Sequence, residues 1–111
     1  MKIDHQQVGT VDVITPIGTL VEDDASAFAE KLQRRLSTSN LRVVLDLHEV
    51  PYVDSTALEA LADAADRMEQ RSTRLRLVSV VPTVREVLKL TGMSKHVQFF
   101  EQVEDAVRSF L

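Results

Sequence analysis

A chain of 111 residues has room for one domain with one core, and without cysteine neither a disulfide framework nor a thiolate metal site is open to it. Its 13 lysines and arginines against 17 aspartates and glutamates leave a net charge of -4, which makes nucleic acid and anionic membrane surfaces poor partners and points to a protein or a small ligand instead. The opening MKIDHQQVGT lacks the apolar run of a secretory signal, and no apolar stretch nears the roughly 18 to 20 residues that cross a bilayer, so the expectation is a cytoplasmic domain with no membrane insertion.

Residues 3–8 and 11–17 are β-prone runs on either side of Gly9-Thr10 and predict a hairpin. In the second run Val11, Val13 and Thr15 alternate with Asp12, Ile14 and Pro16, as in a sheet with one face better covered than the other; Pro16 belongs near a strand end. Ala25, Phe28, Leu32 and Leu36 then mark one face of a helix. Glu22, Asp23 and Asp24 occupy its cap and first turn, where carboxylates suit the positive end of the helix dipole. As a metal site they lack partner ligands and the spacing of a calcium loop. Residues 37–40 (STSN) close the unit as a polar loop.

Val43, Val44, Leu45 and Leu47 form a buried strand, Pro51 sits in the loop behind it, and Asp54-Ser55-Thr56 opens a helix whose apolar stripe is Leu58, Leu61, Ala65 and Met68. Residues 74–80 (RLRLVSV) alternate as a strand, with Arg74 and Arg76 on one face and Leu75 and Leu77 on the other. Pro82 starts a third helix, with Thr83 and Glu86 spaced as a capping box, an apolar side of Val84, Val87 and Leu88, and Gly92 as its stop. Residues 97–100 are a last strand, and Val103, Ala106, Val107, Phe110 and Leu111 mark a closing helix. The order β-β-α-β-α-β-α-β-α predicts a single α/β domain over residues 1–111. It should be an N-terminal hairpin followed by βα units, with about four helices and a mixed sheet whose later strands are parallel.

Ser55 falls at a strand-to-helix corner, where unpaired N–H groups and the helix dipole suit an anion. Ser, Thr and Asp are also the residues expected at a helix N-cap, and Thr56 with Glu59 is spaced as a capping box. On these residues alone the helix can be started without assigning Ser55 any role. Catalysis is not indicated: no Gly-x-Ser-x-Gly elbow surrounds Ser55, and His48 reads as a solvated loop residue. His5 and His96 lie near the chain's ends, the spacing of the three histidines forms no metal site, and no glycine-rich loop signals a cofactor.

The run Val53-Asp54-Ser55-Thr56-Ala57-Leu58, between an apolar strand and a helix, resembles the aliphatic-Asp-Ser-Ser/Thr-Gly-Leu turn of the STAS domain, a family named for sulfate transporters and anti-sigma-factor antagonists. The whole chain fits that pattern, and it looks most like the small single-domain antagonists. The resemblance implies a bacterial, non-enzymatic module that binds a serine-kinase anti-sigma factor and frees a sigma factor until phosphorylation at Ser55 ends the capture; Thr56 is the alternative acceptor. It implies a partner surface of Val53, Asp54, Ser55, Thr56, Ala57, Leu58 and Glu59, joined by Glu22 and Asp23. Asp54 is expected to orient the hydroxyl, to help position the kinase metal, or to act as a capping carboxylate.

The chain departs from the family where glycine is usual two residues after the serine and again two residues later. Ala57 is expected to obstruct a close-packed partner, and Glu59 to repel a phosphate one turn away. Val21 stands where an acidic residue is common, with Glu22, Asp23 and Asp24 as substitutes. Ala57 and Glu59 keep one alternative open, a STAS subunit docked on the ATPase of a phospholipid transporter; a scaffold component of a stress-sensing assembly is a third reading.

Overall fold

The structure, a computed structural model, describes residues 1–38 and 41–111. Lys2–Val8 (β1) and Val11–Ile17 (β2) form the hairpin, followed by a helix Glu22–Leu36 (α1), a strand Val43–Asp46 (β3), a helix Ser55–Gln70 (α2) and a strand Leu75–Val78 (β4). A helix Pro82–Leu90 (α3), a short 3-10 turn Met93–His96, a strand Val97–Phe100 (β5) and a helix Val103–Arg108 (α4) complete the order. The strands lie in one sheet in the order β1-β2-β3-β4-β5, with β1 antiparallel to β2 and every later pair parallel. That is the expected mixed sheet, with four α-helices among the described residues.

Two apolar layers hold the sheet. Ala25, Phe28, Leu32 and Leu36 of α1 pack with Ala57, Leu61, Ala64, Ala65 and Met68 of α2, with Val84 and Leu88 of α3, and with Ile14, Val43, Leu45, Leu75 and Leu77 of the strands. On the other side Val11, Val13, Val44 and Val78 pack with Ala106, bordered by Phe100, Val103, Val107 and Phe110. Three helices therefore cover one face and α4 covers the other. Strand side chains alternate between faces, so both sets of β2 and β3 are buried. The expectation that β2 has one better covered face is corrected accordingly: Val11, Asp12, Val13 and Ile14 are all buried.

Other differences have local causes. The stripe of α2 is turned toward Ala57 and Ala64, leaving Leu58 half-buried at its edge. The strand expected over 74–80 narrows to Leu75–Val78, and Arg76 is buried against α4 rather than solvated. Pro82 does open α3, but Thr83 is no cap: its hydroxyl donates to the Pro51 carbonyl at 3.0 Å, and the cap residue is Val81, without a side-chain bond. Gly92, at φ 81°, takes the left-handed conformation that ends a helix and leads into a 3-10 turn that periodicity alone did not reveal. Leu111 is exposed beyond the end of α4. The polar loop expected over 37–40 is described only to Thr38; Ser39 and Asn40 lie outside the described residues.

Candidate functional site

The loops that leave β2 and β3 are stitched together. Gly18 N donates to Glu49 O at 2.9 Å, Leu20 N to Tyr52 O at 3.0 Å, and Asp54 N to Leu20 O at 2.9 Å, so Leu20 and Val53 bridge as a parallel pair. Backbone bonds of this kind fix the loop after β3 against the loop before α1, and the Thr83 hydroxyl ties Pro51 to the start of α3. Three helix starts are thereby gathered around the ends of the parallel strands, the edge where α/β sheets carry their sites.

Asp54 is the centre of this edge. It is the N-cap of α2, and its Oδ1 accepts from Ala57 N at 3.0 Å. Its Oδ2 accepts from Glu22 N at 2.7 Å, so one carboxylate caps the starts of α1 and α2 together. Glu22 holds a φ of 51°, a left-handed backbone that costs a non-glycine residue about 1 to 2 kcal/mol. The N–H bonds from Ala57 and then Glu22 hold the Asp54 carboxyl below the usual carboxylate range, because each favours the ionised form. The capping reading of Asp54 is therefore the one the geometry bears out. Thr56 with Glu59 forms no capping box, since the position that such a box needs is taken by Asp54.

Ser55 is the first residue of α2 and is exposed, as are Thr56 and Glu59. Glu59 stands one turn from Ser55 on the same side of the helix. The double cap ties the start of α1, with Glu22 and Asp23 both exposed, to the start of α2 where Ser55 stands. Val53 and Ala57 are not part of this surface: they are 4% and 0% exposed, packed between α1, α2 and the sheet. The expected obstruction by the Ala57 methyl is thus corrected, because the methyl points into the core. The electropositive ledge expected at the helix start is also reduced, since the Asp54 carboxylate already occupies it.

The sequence reading missed Tyr52. It is the chain's lone tyrosine, it is 54% exposed, and it stands three residues before Ser55 in the stitched loop. A single aromatic placed directly after Pro51 in a polar loop was the available signal. Around it the edge is acidic, with Glu22, Asp23, Glu49 and Glu59 exposed. His48 is exposed and engaged with Asp46, whose Oδ1 is 2.8 Å from Nδ1, and lies 3.5 Å from Glu49. The Asp46 bond raises the His48 imidazole above its ordinary value by favouring the cation. No hydrogen bond joins His48 to Ser55 among the described residues. His5 pairs with Asp12 and His96 with Glu69, at separate places on the domain. Among the described residues no cluster of three or more metal-ligating side chains exists, and no helix is long and apolar enough to cross a membrane.

Comparison with known proteins adds to this geometry. The family model described as the STAS domain matches residues 2–106. A curated relative, the candidate anti-sigma factor antagonist BtrV of Bordetella bronchiseptica, is 26% identical over 92 residues, covering 83% of this chain and 79% of that protein. Among solved structures, a candidate anti-sigma factor antagonist of Thermotoga maritima superposes with a TM-score of 0.88 at 21% identity, over 96% of this chain and 92% of that one. The phosphorylated form of the Bacillus cell fate determinant SpoIIAA gives a TM-score of 0.78 at 16% identity, over 99% and 100% of the two chains.

Proposed function

The chain belongs to the STAS domain family, and from that premise we propose that it is a cytoplasmic, non-enzymatic antagonist that binds a serine-kinase anti-sigma factor through the edge around Ser55. The observation that carries this reading is the exposed Ser55 at the first turn of α2, on an edge tied together by the Asp54 double cap. The name of a curated relative, a candidate anti-sigma factor antagonist of Bordetella bronchiseptica, supports it.

The contact surface in this reading is Tyr52, Ser55, Thr56 and Glu59 together with Glu22 and Asp23, with half-buried Leu58 at its border and Val53 and Ala57 supporting it from beneath. Tyr52 supplies the aromatic anchor that such surfaces use, and the carboxylates call for a partner presenting lysine or arginine. The switch is electrostatic. Transfer of the ATP γ-phosphoryl group to Ser55 Oγ, with release of ADP and the hydroxyl proton, adds about 1.5 to 2 negative charges beside the ionised Asp54 and one turn from Glu59. The helix start has little positive field left to offset that charge, so it is expressed outward, against the partner.

Incubation with the cognate kinase and ATP, followed by mass spectrometric mapping, tests the reading: one phosphate on the peptide carrying Ser55 is expected. No transfer to a wild-type chain that still binds the kinase would remove the switch, and transfer confined to Thr56 would move it by one residue. A transporter-subunit role drew part of its support from Ala57. With that methyl in the core, co-purification with a permease and its ATPase is the result that would restore it.

A further inference from the structure

The opposite end of α2 carries a different chemistry. The helix has 16 residues, which at about 1.5 Å of rise per residue places its C-terminal end roughly 24 Å from Ser55. There a cleft of about 410 Å³ opens between the end of α2, the start of β4 and the end of α4, lined by Arg42, Arg71, Thr73, Arg76, Ser109 and Phe110. Among the described residues its lining holds three arginines and no carboxylate, in a chain whose net charge is -4.

Arg76 is the fixed part of the cleft. It is 8% exposed, and its Nε donates to Ser109 Oγ at 3.0 Å and its Nη1 to Thr73 Oγ1 at 2.9 Å and to the Arg74 carbonyl. The guanidinium stacks on Phe110, 3.6 Å from the ring centroid. These partners are all neutral, and no ion pair reaches Arg76 or Arg71 among the described residues. A buried cation is ordinarily paired with an anion. Burial lowers its pKa, yet a guanidinium stays charged, so Arg76 holds a positive charge that hydroxyls, backbone carbonyls and the Phe110 ring surround and that no carboxylate pairs with among the described residues. Arg71, the residue that ends α2, is exposed, and Arg42 is tethered through Nη1 to Thr10 Oγ1 at 2.9 Å. Guanidinium forks match phosphate oxygens in pairs, and a volume of this size suits a small ligand.

We propose that this cleft binds a small phosphate-bearing polyanion of about the charge of a pyrophosphate group, with Arg71 gripping its oxygens above the Arg76–Phe110 floor. Such a ligand supplies the anion that Arg76 lacks, and it binds independently of the Ser55 edge.

The test is a titration of the ¹⁵N-labelled chain with inorganic pyrophosphate at constant ionic strength, followed by backbone amide shifts. The expected result is a saturable shift of the amides of Arg71, Thr73, Arg76 and Ser109. Arg71→Gln should weaken it at least tenfold while the melting temperature stays unchanged, and Ser55→Ala should bind as the unaltered chain does. The proposal is overturned if chloride at matched ionic strength gives the same shifts, if Arg71→Gln binds as tightly as the parent, or if the shifts gather at the start of α2. A failed titration leaves the Ser55 reading untouched, and an unphosphorylated Ser55 leaves this one untouched.

Discussion

Replacing Ala57 by glycine separates the core from the partner surface. Ala57 is the third residue of α2 and is fully buried, and its backbone N–H donates to Asp54 Oδ1, a bond that glycine retains. The substitution therefore removes one buried methyl, worth about 0.8 kcal/mol, and adds backbone freedom in a helix, worth up to about 1 kcal/mol. The two sum to about 1.5 kcal/mol of lost stability. With a urea slope of about 1 to 3 kcal/mol per molar, the unfolding midpoint should fall by about 1 M with the slope itself unchanged. Affinity for the kinase partner should stay within about twofold of the parent, because the methyl never reaches the interface. An Ala57→Gly chain that keeps its stability and binds its partner more tightly would refute this placement and restore the methyl to the contact surface.

Asp54→Asn should weaken the shared cap and flatten the acid limb of stability. The Asp54 carboxyl is held low in the folded chain, so its contribution is present above the unfolded value near 3.8 and is lost as the pH falls through the lower folded value. Urea midpoints from pH 5 to pH 2 check this, and an unchanged pH slope would contradict it. Asp12 behaves alike for a different reason. Burial pushes its carboxyl up, but hydrogen bonds from Arg35 at 2.7 Å and from His5 at 2.9 Å pull it below the usual range. Arg35→Met should cost about 3 kcal/mol and raise the Asp12 pKa in a carboxyl NMR titration. Glu59→Gln should speed phosphorylation at Ser55 by removing like charge one turn away, read as initial rate by radiolabel transfer; an equal or slower rate would count against that repulsion.

Hydrophobic period carried the order of strands and helices. Phe28, Leu32 and Leu36 declare α1, Leu61, Ala65 and Met68 declare α2, and four-residue runs such as VVLD and LRLV declare the inner strands. The Ser55 corner was legible for the same reason, since apolar strand, polar triplet and apolar stripe stand in direct succession. Contacts between distant segments were not legible. Asp54 capping Glu22 spans 32 residues, and Thr83 bonding to Pro51 spans 32, so the local rules that suggested capping boxes at Thr56 and Thr83 met partners they do not contain. Arg76 was hidden similarly: its alternation placed it opposite Leu75 and Leu77, but only the docking of α4 shows that this second face is also covered.

Partner affinity before and after modification bears most directly on the antagonist reading. Isothermal titration of the purified kinase should show binding to the unmodified chain and at least a tenfold loss, about 1.4 kcal/mol, for the chain phosphorylated at Ser55. Equal affinities for the two forms would contradict it.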